Sequence, residues 1–182
     1  MDFKLSPYTE LQTDRLRMRQ ITLDDAADLF LMRSDKQVMQ YICRPLFQTI
    51  DDATALINNL NELFNNNNGI HWVLTLKNEN KLIGNIGIWN FDKPNFRAEI
   101  GYVMLTEYHG KGLMNEALQA AVDYGFNTLH LHSINAKVNP ENNKSIQLLQ
   151  RNKFNRDAYF KEDIFWEGKF CDTVVYTRLN KN

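Results

Sequence analysis

The chain has 182 residues, 43% of them hydrophobic and 12% aromatic. That is apolar material for the core of a single domain over 1–182, and too much for a disordered chain. The 21 Lys+Arg nearly balance the 22 Asp+Glu, so no strong basic field marks a direct nucleic-acid binder.

The opening residues carry acidic and polar groups where a secretory leader needs a basic start and an apolar run. No stretch of about 18 apolar residues is present, so neither export nor a membrane span is expected, and the reading is cytoplasmic. Leu16 and Met18 then alternate with Arg15, Arg17 and Arg19, which predicts a half-buried strand with its arginines in solvent. Thr22 with Asp25, and Thr49 with Asp52, have the spacing of a capped helix start. The first predicts a helix carrying Ala26, Ala27, Leu29, Phe30 and Met32. The second predicts one carrying Ala53, Leu56, Ile57, Leu60 and Phe64, closed by the asparagines at 65–68 and Gly69. A short helix over 35–41 lies between them, and Pro45 interrupts it.

Apolar runs at 71–76, 81–91 and 97–105, separated by turns at 78–80 and at Pro94-Asn95, predict an antiparallel meander. Gly84 and Gly87 weaken the middle strand and predict a bulge or the close approach of another group. A helix over 113–126 follows, with Ala117, Leu118, Ala121, Val122 and Gly125 inward, then a strand over 132–138. Residues 139–143 turn into a helix holding Ile146, Leu148 and Leu149. A hairpin of 158–166 and 170–178 turns around Glu167-Gly168-Lys169. The fold class is α+β, with a mixed, mostly antiparallel central sheet flanked by helices.

Gly110 and Gly112 stand between a strand and a helix. Glycines there let backbone amides approach a ligand, and the first amides of a helix lack internal partners, which makes a site for pyrophosphate. His109 and Lys111 add positive charge. The stretch is not a dinucleotide Gly-x-Gly-x-x-Gly, because Asn115 holds the last place, and it lacks the Gly-Lys-Ser/Thr ending of a triphosphate loop. Glu99 interrupts an apolar strand and shares a face with Gly101 and Val103. A partly buried carboxylate there suits a general base, with an ion pair to Arg97 or to a loop as the other reading. Cys43 and Cys171 are far apart in sequence and form no CxxC pair, so ordinary packing is expected. His71, His109, His130 and His132 supply no spaced ligand set, and no metal is expected. Trp72, Trp89 and Trp166 are expected as core or cleft walls.

The run Arg97-Ala98-Glu99-Ile100-Gly101-Tyr102-Val103-Met104-Leu105, followed by Tyr108-His109-Gly110-Lys111-Gly112-Leu113-Met114-Asn115-Glu116-Ala117, resembles the core of the GCN5-related N-acetyltransferase (GNAT) superfamily. Thr13-Asp14-Arg15-Leu16-Arg17-Met18-Arg19, Asn139-Pro140-Glu141-Asn142-Asn143-Lys144-Ser145-Ile146 and the final hairpin are similar to its RimJ/RimL-like ribosomal-protein N-terminal acetyltransferases. The resemblance spans roughly residues 13–178. It implies the acyl-CoA N-acyltransferase fold, in which two central strands splay apart around acetyl-CoA. Here those would be the strands ending near Leu105 and Val138. It further implies that the amides of His109, Gly110, Lys111, Gly112, Leu113 and Met114 surround the pyrophosphate, and that Val103, Met104 and Leu105 line the pantetheine arm. Asn139, Asn142 and Ser145 would lie near cofactor and acetyl group.

In the implied reaction an amine attacks the thioester directly. Glu99 serves as base, an amide near Met104 or Leu105 stabilises the oxyanion, and Ser145 donates to the departing sulfur or else stabilises its helix turn. Glu162 and Glu167 are secondary candidates near the amine, and Tyr108 is a cleft wall. The expected acceptor is a protein N-terminal amine, with a small amine, polyamine or drug as the alternative and a noncatalytic acyl-CoA-binding regulator as a third reading. The expected assembly is a monomer or homodimer. One departure stands out: the family often has glycine where this chain has Lys153, before Phe154.

Overall fold

A computed structural model describes residues 4–181. The leader-free start read from the sequence rests partly on residues 1–3, which lie outside the described residues. Leu11–Gln12 (β1) and Leu16–Arg19 (β2) open a sheet that Gly69–Leu76 (β3), Gly84–Asp92 (β4) and Arg97–Met104 (β5) continue as the expected antiparallel meander. Ser133–Val138 (β6) joins β5 in parallel. Asn155–Trp166 (β7) and Lys169–Leu179 (β8) form the terminal hairpin, and β8 inserts beside β6. The order β1-β2-β3-β4-β5-β6-β8-β7 is the mixed, mostly antiparallel sheet of the expected class. The hairpin turns on Glu167 and Gly168, both at positive φ (48° and 80°), the geometry that matches the right-handed strand twist.

Period two sends even-numbered residues of β3 to β6 to one face and odd-numbered residues to the other. Trp72, Ile86, Ile100 and Ile134 on the even face pack against Leu113–Asn127 (α4) through Ala117, Leu118, Ala121 and Val122. Val73 and Val103 on the odd face pack against Ala26–Ser34 (α1) and Ile50–Asn65 (α3) through Leu29, Met32, Ala53 and Ile57. A short 3-10 turn at Leu23–Asp25 leads into α1, and both helix starts carry the predicted capping box. Asp25 accepts from the Thr22 amide at 2.8 Å and Asp52 from the Thr49 amide at 2.9 Å. Lys36–Met39 (α2) sits between the two helices, capped by Asp35.

One sequence expectation changes and two gain detail. The arginines in and just before β2 are ion-paired rather than simply solvated: Arg15 with Glu116, Arg17 with Glu10 and Arg19 with Asp25. The Arg19 side chain is only 12% exposed; its guanidinium donates to both Asp25 carboxylate oxygens and to the Gln20 and Asn80 carbonyls. Cys43 and Cys171 meet although distant in sequence: burial pushes the Cys43 thiol up, and the Cys171 thiol beside it adds to that. Both are free cysteines. Finally, Asn143–Arg151 (α5) ends in a Schellman motif centred on Lys153, at φ 62°. The Lys153 amide donates to the Gln150 carbonyl and the Phe154 amide to that of Leu149, each at 3.0 Å. The position that suits glycine is therefore held by a lysine in the left-handed region.

Candidate active site

The parallel pairing of β5 with β6 covers only Arg97↔Ser133, Ala98↔Ile134 and Glu99↔Asn135. Beyond it β5 runs on to Met104 beside β4 alone, while β6 runs to Val138 beside β8 alone. The two central strands therefore splay, as the resemblance implies.

Backbone parity decides which amides face the gap. The Leu105 amide donates to the Ile83 carbonyl at 2.9 Å. In an antiparallel ladder the bonded pairs recur every second residue, so Val103, Gly101 and Glu99 also direct their backbone groups to β4. The amides of Tyr102 and Met104 point to the splayed side. This corrects the expectation for Leu105, whose amide is engaged within the sheet, and leaves Met104, with Tyr102, as the oxyanion donor candidates. The Val103 and Met104 side chains are buried in the odd-face and even-face cores respectively, so what they offer a ligand is main chain.

Glu99 lies on the odd face, with its side chain 15% exposed. Its carboxylate pairs with Lys137 at 3.2 Å and accepts from Asn90 Nδ2 at 3.3 Å. The expected alternative partner, Arg97, is not the one used: Lys137 lies two residues past Asn135, Glu99's neighbour on β6, and therefore shares its face. Glu99, Asn90, Asp92, Arg97, Asn135 and Lys137 border an open depression of about 310 Å³.

Ser145 stands on the other side, in the first turn of α5. Its hydroxyl is 2.8 Å from the Tyr102 hydroxyl, and its amide donates to Asn142 Oδ1 at 3.1 Å. Burial pushes Tyr102 up to about 12, against a smaller opposing effect of Ser145, so the phenol stays protonated at neutral pH. Sequence reasoning missed Tyr102. The available signal was a phenol at an inward position of β5, where a buried hydroxyl needs a partner. Asn142 commits its side-chain oxygen to the helix cap, and Asn139 commits its own to the Glu141 amide at 2.8 Å. These two asparagines thus shape the turn that delivers Ser145.

Gly110 and Gly112 sit at φ 74° and 77°, where a side chain is strained. The amides of residues 110–114 donate to no protein acceptor among the described residues. The His109 amide, expected in that set, instead closes a turn onto the Thr106 carbonyl at 3.0 Å, and the His109 ring lies 2.9 Å from the Met104 carbonyl. Arg15 was expected only as a solvated strand residue, yet its guanidinium donates to the Lys111 carbonyl at 2.8 Å and approaches Gly112. Lys111 lies over the Tyr108 ring at 5.3 Å, so Tyr108 is a wall of this loop. Glu162 and Glu167 are exposed on the terminal hairpin, at a register shift and at the turn.

The family described as the acetyltransferase (GNAT) domain matches residues 15–155. An uncharacterized N-acetyltransferase p20 of Bacillus licheniformis is 33% identical over 171 residues, covering 94% of this chain and 96% of its own. The [ribosomal protein uS5]-alanine N-acetyltransferase of Escherichia coli is 29% identical over 177 residues, covering 93% and 90%. Among solved structures, an acetyltransferase (GNAT family) from Bacillus anthracis superposes with a TM-score of 0.85 at 28% identity, covering 96% of this chain and 100% of its own.

Proposed function

The chain belongs to the GNAT acetyltransferase family and is an acetyl-CoA-dependent N-acetyltransferase, and on that premise we propose that its acceptor is the α-amine of a protein N-terminus, attacked directly on the thioester. The observation that carries the direct-attack reading is the gap between β5 and β6, with Glu99 on one face of the sheet and Ser145 on the other. The amine enters from the odd face, where Glu99, steadied by Lys137 and Asn90, takes its proton. The carbonyl oxygen gains charge as the tetrahedral intermediate forms, and the Tyr102 or Met104 amide answers it. The thiolate leaves toward the even face, where the Tyr102–Ser145 pair donates a hydrogen bond. Gly110 to Met114 supply amides for the pyrophosphate at the start of α4.

The peptide acceptor draws support from the alanine N-acetyltransferase of Escherichia coli, which is similar over nearly the whole chain. No helix among the described residues is long and apolar enough to cross a membrane. Work on newly made protein N-termini fits a cytoplasmic enzyme of one domain, a monomer or homodimer.

The test measures thiol release from acetyl-CoA with N-terminal peptides, free amino acids and polyamines side by side. Peptide acceptors are expected to give the highest kcat/KM. A polyamine that outruns every peptide would remove the proposed acceptor. Acetyl-CoA binding without transfer to any amine would leave a noncatalytic binder.

A further inference from the structure

Arg33, in the last turn of α1, forms no ion pair among the described residues, and its Nε is buried without a hydrogen-bond partner. Its polar side-chain contact is Nη1 to Met39 Sδ at 3.6 Å, a weak acceptor. His71 Nδ1 is likewise buried and unpartnered. Burial draws both groups down from their usual ranges. The neighbouring charge of Arg44 adds to the effect on Arg33, and Arg33 adds to the effect on His71. A buried guanidinium with an unmet donor, a cationic neighbour and no acid is an expensive combination inside a protein, one that calls for an anion from outside.

The position gives this cluster meaning. His71 pairs with Gly87, and Gly87 with Gly101. A Cβ on Gly87 would lie 2.1 Å from the His71 ring, and one on Gly101 2.5 Å from the Trp89 indole. The two glycines thus make room for these rings, which stack at 5.3 Å, and Trp89 is the cross-strand neighbour of Glu99. His71, which feels the charge of Arg33, stands on the Glu99 face, two strand spacings (roughly 10 Å) from β5.

We propose that Arg33 binds an oxyanion, a carboxylate or phosphate, carried by the amine acceptor, so that the acceptor docks by its anion and turns its amine toward Glu99. The inference rests on the acetyl-transfer reading of the same site and adds the substrate class. In a peptide the anion is an acidic side chain close to the N-terminus; in a small acceptor it is the molecule's own carboxylate or phosphate.

The experiment pairs acceptors that differ only in the anion: peptides with Asp or Glu at the second position against Asn or Gln, amino acids against their amides, and phosphoethanolamine against ethanolamine. The wild-type enzyme is expected to favour the anionic member of at least one pair by roughly 10- to 100-fold in kcat/KM, mostly through KM, the range a charge-assisted hydrogen bond supplies. Arg33→Met should abolish that preference while leaving the neutral acceptors and the KM for acetyl-CoA unchanged, and Arg33→Lys should retain part of it. The pair that responds tells carboxylate from phosphate. Indifference of the wild type to the anion, or a preference that survives Arg33→Met, overturns the proposal.

A second readout needs no turnover. With CoA saturating the pyrophosphate loop and ionic strength held constant, sodium acetate or inorganic phosphate should raise the melting temperature of the wild type more than that of Arg33→Met. An equal response, including none in either protein, counts against the subsite. Should no amine be acetylated while Arg33-dependent anion protection persists, the transfer reading falls and the anion subsite stands. Arg33→Met removes an unpaired and largely desolvated charge, so a folded variant is expected, checked by circular dichroism.

Discussion

Single residues carry two separable kinds of consequence here. Glu99 is held by Lys137 and Asn90 within an otherwise apolar strand. If it takes the proton of the attacking amine, Glu99→Gln keeps shape and hydrogen bonding, lowers kcat by about 100-fold or more, and leaves acetyl-CoA affinity unchanged. Single-turnover acetyl transfer by the folded variant checks this, and a wild-type rate would sink the proposed base. Lys153 makes a purely structural counterpart. At φ 62° it carries a left-handed penalty of roughly 1–2 kcal/mol that glycine avoids, while glycine loses about 0.5–1 kcal/mol through chain entropy. Lys153→Gly is therefore expected to stabilise the fold by up to about 1 kcal/mol in urea unfolding, without altering turnover. A destabilised variant would mean that the lysine side chain contributes more than the strain removes.

At the scale of elements, the junction of β5 with α4 is the proposed pyrophosphate site. A Cβ added at Gly110 would meet no neighbour within 4 Å, whereas one at Gly112 would face Arg15 at 3.2 Å; both residues have positive φ. An alanine at either position forces strain of about 1–2 kcal/mol or a shift of the loop that presents the amides. Gly110→Ala and Gly112→Ala should each weaken acetyl-CoA binding in calorimetry, Gly112→Ala more, because Arg15 must also yield. Unchanged affinity in both would take the pyrophosphate away from residues 110–114. Asn142 tests the turn that follows β6. Its side chain caps α5 at the Ser145 amide, so Asn142→Ala should cost about 1 kcal/mol of stability. It should also lower kcat, through a misplaced Ser145, while the KM for the acceptor stays put. A loss of stability with kcat intact would confine Asn142 to the cap.

Across the whole molecule, His71 links stability to pH. Burial holds it at about 4, below the ordinary value of 6.5. The folded state thus binds its proton less readily than the unfolded chain. The stabilisation is complete above about 6.5 and is lost as pH falls toward 4, on the order of 3 kcal/mol over the full range. Denaturant unfolding between pH 7 and 4 should show this fall, and His71→Phe should flatten it; an identical slope in the variant would assign the acid sensitivity elsewhere.

Much of this architecture was legible in one dimension. Thr22/Asp25 and Thr49/Asp52 announced their helices, alternation marked β2, and Gly110 and Gly112 marked the loop before α4, because capping, period and glycine freedom are local properties of the chain; the family came from the resemblance of the longer runs at 97–117 and 139–146. The Arg19–Asp25 and Glu99–Lys137 ion pairs, the meeting of Cys43 with Cys171, the Tyr102–Ser145 contact and the cluster of Arg33 with His71 were not legible. Each joins residues from different elements, and which partners meet depends on strand order, register and the packing of α1 and α5 against opposite faces of the sheet. Local pattern was enough for the elements, and the resemblance for the class of chemistry. Which amides face the gap, and which charges are left without partners, had to wait for the folded arrangement, since both follow from the register of β5 and from burial, which no local pattern encodes.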